Sequence, residues 1–126
     1  MPSDSTRKAS TRWGSVSLHA METEAFERLA DRCLGRVADW LEEFDPDELD
    51  YATMDGVIQL EFPDGTRFVL NRQAGSSQMW FAAGARAWHY DWREETGTWH
   101  DDRDGHELFE NVARAVSEKL GRTVSL

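Results

Sequence analysis

The chain has 126 residues, enough for one domain around a single modest core, and its 40% hydrophobic and 30% charged content is that of an ordinary globular protein. A net charge of −10 excludes nucleic acid and anionic membrane as partners, since both need a cationic surface, and favours cations or a basic protein face. One cysteine, Cys33, excludes an internal disulfide and a thiolate zinc cluster, and no apolar run approaches the ~20 residues of a membrane span.

Residues 1–20, "MPSDSTRKASTRWGSVSLHA", stand apart by composition. They hold five Ser and two Thr and carry a net +2, which leaves −12 on residues 21–126. A Ser/Arg-rich, acid-poor leader has the make-up of a mitochondrial transit peptide but lacks the apolar core of a secretory signal. The simpler expectation is a disordered leader or an extension from an upstream start codon, with the folded domain at 21–126.

From Thr23 the apolar residues Phe26, Leu29, Ala30, Cys33, Leu34, Val37, Leu41 and Phe44 follow the 3,4 spacing of an amphipathic helix. Thr23 is the expected N-cap, and Cys33 lies on the core stripe as a small hydrophobe. Pro46 disfavours helix at Asp45, so the helix should end near Phe44. Seven carboxylates (Asp39, Glu42, Glu43, Asp45, Asp47, Glu48 and Asp50) then crowd into twelve positions without a Lys or Arg. Acids at a helix C-terminus oppose the macrodipole, and broken local rules tend to mark function.

The period then changes to two. "GVIQLEF" alternates Ile58, Leu60 and Phe62 with polar neighbours, "PDGT" (63–66) is a turn, and "RFVLN" returns as its hairpin partner. "QMWFAA" and "AWHYDWR" continue the pattern, the latter with Trp88, Tyr90 and Trp92 on one face and His89, Asp91 and Arg93 on the other. "EETG" turns into a short strand "TWHD". Turns this short force antiparallel neighbours, so five or six strands in a meander are expected. A second amphipathic helix closes the chain, with Asp104 as expected N-cap, Glu107 at its third position and Gly121 as the stop. The tail "RTVSL" is expected to lie back over the core.

Helix, antiparallel strands, helix gives an α+β fold of two layers, both helices covering one sheet face. The other face is left to Trp80, His89, Asp91 and Gln73. No nucleophile elbow, P-loop, dinucleotide fingerprint or H-E-x-x-H motif is present. "HYD" (89–91) and "HDD" (100–102) are weak as metal sites, and a satisfied His89–Asp91 pair is the plainer reading. A large aromatic such as Trp80 on a wet sheet face marks an interface candidate. The acidic run is the strongest signal: oxygen ligands alone suit hard cations such as Ca²⁺, Mg²⁺, Mn²⁺ or Fe²⁺, held weakly and at several sites, or a basic partner surface.

Five segments, "FERLADRCLGRVADWLEEFDPDELD", "DGVIQLEFPDGTRFVLNRQ", "QMWFAA", "WHYDW" and "DGHELFENVARAVSEKLGRTVSL", together resemble the frataxin family in its bacterial, CyaY-type branch, over about residues 21–126. The run "NRQ" followed closely by Q-x-W-[LF]-A is the most specific of them. The resemblance implies the same two-layer sandwich and a role in iron–sulfur cluster assembly. It implies weak, multi-site binding of Fe²⁺ and Fe³⁺ by a ridge of Asp39, Glu42, Glu43, Asp45, Asp47, Glu48 and Asp50, with Glu24, Glu27 and Asp31 further up the helix. It also implies docking on a cysteine desulfurase and the scaffold machinery through Glu42, Glu43, Trp80, Asn71, Arg72 and Gln73. Ala38 and Pro46 fall where relatives often carry an acid, so the ridge is thinner here.

The expectation is therefore a non-enzymatic iron donor and desulfurase modulator, cytoplasmic and monomeric, with oligomers forming under iron. A matrix address would follow only if residues 1–20 were a transit peptide. The alternatives are a ferroxidase and iron store acting through oligomers, and an acidic adaptor with incidental iron affinity.

Overall fold

The computed structural model describes the backbone of residues 11–126 and the side chains of residues 23–126. Helix α1 (Thr11–Leu41) is followed by strands β1 (Asp50–Met54), β2 (Val57–Glu61), β3 (Arg67–Gln73), β4 (Gln78–Ala83), β5 (Arg86–Arg93) and β6 (Thr98–Asp101), then by helix α2 (Leu108–Leu120). The strands form one antiparallel sheet in the order β1-β2-β3-β4-β5-β6. The sixth strand is β1, an edge strand with only Tyr51 half-buried.

Alternation sets the two faces. Ile58, Leu60, Phe68, Leu70, Met79, Phe81, Tyr90 and Trp99 point to one side, where Phe26, Ala30, Cys33 and Val37 of α1 and Leu108, Val112 and Val116 of α2 meet them in a single core. Cys33 is 4% exposed, and burial pushes its thiol pKa far above the ordinary range, as suits a packing residue. The C-terminal tail folds back as expected. Trp40 Nε1 donates to Ser125 O (2.7 Å), Val124 N donates to Ser117 Oγ (2.9 Å), and Val124 and Leu126 pack on the core.

Three local expectations need correction. Helix α1 begins at Thr11, so Thr23 lies inside it and residues 11–20 of the supposed leader are helical; residues 1–10 lie outside the described residues. Once a helix is nucleated each added residue gains a hydrogen bond, and no proline interrupts 11–41. At its other end the α-helix stops at Leu41, and tighter turns carry the winding on to Phe44 (Glu43 N to Trp40 O, 3.1 Å; Phe44 N to Leu41 O, 3.2 Å). The N-cap of α2 is Glu107, whose carboxylate accepts from Phe109 N and Glu110 N, and not Asp104. Gly105, at φ +80°, turns the chain between them, so Asp104 caps its own turn by accepting from His106 N (3.0 Å).

Candidate functional site

The end of α1, the loop 42–49 and β1 bring the acidic run onto one edge of the sandwich. Tyr51, paired with Leu60 across the β1–β2 ladder, turns its hydroxyl to the Glu42 carboxylate and donates to it. That hydrogen bond raises the Tyr51 pKa first; desolvation and the negative charges of Glu42, Asp39 and Asp50 raise it further. Asp39, Glu42 and Asp50 therefore converge on one phenol, which the sequence reading did not single out although it directly follows the run. Asp45 Oδ1 accepts from Asp47 N (2.9 Å), and Asp50 Oδ1 from Tyr51 N (2.9 Å).

Two arginines from distant segments neutralise part of this edge. Arg122 grips Glu48 with two hydrogen bonds (2.7 and 3.1 Å) and holds its carboxyl below the ordinary range, chiefly through those bonds. Arg72 reaches Asp31 (2.7 Å) and Asp55 (3.0 Å). Glu24, Glu27, Asp39, Glu42, Glu43, Asp45, Asp47 and Asp50 make no ion pair among the described residues. Their uncompensated charge is centred on the helix end and loop, while Glu24 and Glu27 lie roughly four to five turns away along α1.

The bare sheet face carries a second surface. Register aligns Asn71, Trp80 and His89 side by side across β3, β4 and β5. Trp80 is half-buried and stacks on His89 with ring centroids 4.3 Å apart, and its indole N–H donates to Gln78 Oε1 (3.0 Å). Gln78 Nε2 in turn donates to Asp91 (3.1 Å) and Asp102 (3.1 Å), and His89 lies 3.9 Å from Asp102. The surface His–Asp pair is thus His89–Asp102 rather than His89–Asp91. Arg72 does not share this face: strand alternation sends it with Phe68 and Leu70 to the helix side, where it holds Asp31. Asn71 and Gln73 remain half-buried with Trp80.

Among the described residues one group of three metal-ligand side chains comes together, Asp101, Asp104 and His106, with ligand atoms within 4.8 Å of one another. Its own hydrogen bonds close it. Arg114 donates twice to Asn111 Oδ1 (3.0 and 2.7 Å), so Asn111 turns its NH₂ to Tyr90 Oη (2.8 Å). The Asp104 carboxylate only accepts, so the imidazole Nδ1 that faces its Oδ1 at 2.6 Å carries a proton, which leaves Nε2 to accept from the Tyr90 hydroxyl (2.7 Å). A metal at Nδ1 would displace that proton and strand the buried Tyr90 hydrogen without an acceptor. Asp101 is 6% exposed and spends Oδ2 on the backbone N–H groups of Arg103 and Asp104, both at 2.9 Å.

A six-stranded meander under two helices, acid-rimmed at one edge and aromatic on its bare face, defines a class of small two-layer α/β sandwich. The frataxin-like domain model matches residues 19–122, and the chain belongs to that family. It is 36% identical over 113 residues to the iron–sulfur cluster assembly protein CyaY of Thioalkalivibrio sulfidiphilus, covering 89% of this chain and 96% of that one. Among solved structures it is similar to the frataxin of Psychromonas ingrahamii, of the CyaY family, at TM-score 0.73 and 30% identity, over 82% of this chain and 95% of that one. It is also similar to the trimeric frataxin of Saccharomyces cerevisiae in its ferrous complex, at TM-score 0.65 and 25% identity, covering 93% and 92% of the two chains.

Proposed function

We propose that this chain takes part in iron–sulfur cluster assembly as a non-catalytic protein of the bacterial cytoplasm. It holds iron weakly on its acid edge and meets a cysteine desulfurase and the scaffold machinery through that edge and the Trp80 face. The observation that carries the reading is the convergence of Asp39, Glu42 and Asp50 on Tyr51, with Glu43, Asp45 and Asp47 beside them and, among the described residues, no cation paired to any of the six. Exposed carboxylates suit Fe²⁺, a hard oxygen-seeking ion, and a site without thiolate or imidazole releases it readily. The name of the CyaY relative and the ferrous complex of the yeast relative support the same cargo.

The test is an anaerobic Fe²⁺ titration followed by paramagnetic broadening of amide signals. Broadening should centre on Asp39–Tyr51 and weaken in Glu42→Gln with Glu43→Gln, and the same variant should lose salt-sensitive capture of the desulfurase. Unchanged uptake and capture in that variant would overturn the proposal. Saturable Fe²⁺ oxidation above a protein-free control would favour the ferroxidase and storage alternative.

A further inference from the structure

Helix α1 carries a cationic line as well as an acidic one. Arg28, Arg32 and Arg36 recur every fourth residue and are exposed, and none forms an ion pair among the described residues. In a chain of net charge −10, three unpaired arginines in a row on one helix stand out. Arg32 and Arg36 border a groove of about 510 Å³ between α1, the β5–β6 hairpin and the start of α2, lined also by Cys33, Trp92 and Phe109. The Arg36 guanidinium lies over the Phe109 ring, 5.0 Å from its centroid, which holds it at the rim with its N–H edge still available.

Gly35 stands between them, exposed in the middle of the helix. A glycine there weakens a helix relative to alanine, and no neighbour demands it: a Cβ built on Gly35 meets nothing within 4 Å. Its effect is to leave the helix backbone bare beside the groove, where another chain can approach closely.

We propose that this groove is a second docking surface, separate from the acid edge, and that it takes an acidic segment of a partner protein. Carboxylates of the segment pair with Arg32 and Arg36, an apolar side chain between them enters the groove against Phe109 and Trp92, and the segment's backbone lies over Gly35. Asp39, one helical turn from Arg36 on the rim, weakens the pairing there, so Arg32 carries the larger share of it.

The probe is a fluorescein-labelled twelve-residue peptide with six Glu flanking a single Leu, followed by anisotropy with the full chain. A same-length peptide with Gln for Glu is the control. Binding of the Glu peptide should weaken at least tenfold between 50 and 300 mM NaCl, should be lost in Arg32→Glu with Arg36→Glu, and should fall in Gly35→Leu, which fills the approach without reversing charge. Thermal melts of both variants confirm folding, and Glu42→Gln with Glu43→Gln should bind the peptide as the parent does. Equal binding of the Glu and Gln peptides, unchanged binding by both groove variants, or no binding at millimolar peptide would overturn the proposal. So would sedimentation showing that the groove variants abolish a self-association of the parent chain, which would make the occupant a second copy.

Discussion

Replacing Tyr90 with Phe tests the buried network that fixes the proton on His106. The ring is fully buried, so the substitution keeps its packing and removes one oxygen. That oxygen accepts from Asn111 Nδ2 and donates to His106 Nε2, so two hydrogen bonds of about 1 kcal/mol each disappear. Asn111 is 7% exposed and cannot rotate its carbonyl inward without releasing Arg114, so its N–H is left unsatisfied, at a further ~1–2 kcal/mol. The expected loss is about 3 kcal/mol, or roughly 10 °C in melting temperature for a chain of this size, read by calorimetry and by urea unfolding. Tyr90→Phe combined with Asn111→Leu removes both ends of the unsatisfied pair and should recover at least half of the loss. The same residue has a signature in alkali. Burial raises the Tyr90 pKa, with Asp101 and Asp104 adding to the rise against Asn111 and Arg114. A raised folded value means full stability below the unfolded tyrosine pKa near 10, lost as pH climbs above it. The Phe variant should show a shallower alkaline limb. A Tyr90→Phe protein as stable as the parent at pH 7, with the same alkaline slope, would refute the network as drawn.

Deleting residues 124–126 removes the Trp40 indole bond to Ser125 and the half-buried Val124 and Leu126, and should lower stability by about 2–3 kcal/mol in urea unfolding. Glu48, Asp64 and Asp104 all have pKa values lowered by their partners, Arg122, Lys119 and the backbone N–H of His106 respectively. A depressed carboxyl pKa stabilises above the unfolded value near 4 and is lost as pH falls below it, so melting temperature should drop from about pH 4 downward. Glu48→Gln should flatten that limb, as measured by melts in a pH series. Trp80→Ala should reduce scaffold or desulfurase capture by at least tenfold while shifting the melting temperature by less than about 5 °C, because the ring is only half-buried and lies outside the main core.

Strands β2 to β5 and the stripe of α2 were readable because each buries one face, and alternation or 3,4 spacing follows from that alone. β1 left no such trace, since "DYATM" buries only part of Tyr51 and pairs on one side only. The early start of α1 was hidden because Thr23 and Glu24 look like a helix start, while Trp13, Val16, Leu18 and Ala20 do not continue the stripe through Phe26, Ala30, Cys33 and Val37. Asp104 and Glu107 both have cap chemistry, and Gly105 decided between them through the backbone. The acid edge was legible as charge density, but its partial neutralisation was not: Arg122 lies 74 positions from Glu48, and Arg72 lies 41 from Asp31. Arg72 also sat in a contiguous motif with Asn71 and Gln73, although strand alternation alone sends it to the opposite face. The Tyr90–His106 contact could have been sought, because a tyrosine turned inward needs a partner for its hydroxyl.

The two borders of the sheet are protected by different means. Beyond β6 the chain doubles back, with Asp101 N donating to His106 O and His100 bridging to Glu107, so few backbone groups are left open there. Among the described residues no strand pairs with the outer side of β1, and its free backbone groups form a template on which another strand could assemble. Asp50 within β1, with Asp39 and Glu42 around Tyr51, gives that open border a like-charged fringe that drives identical copies apart. Polyvalent cations that cancel the fringe would lift this barrier, so loading the protein with metal and keeping it monodisperse are opposed demands on the same few carboxylates.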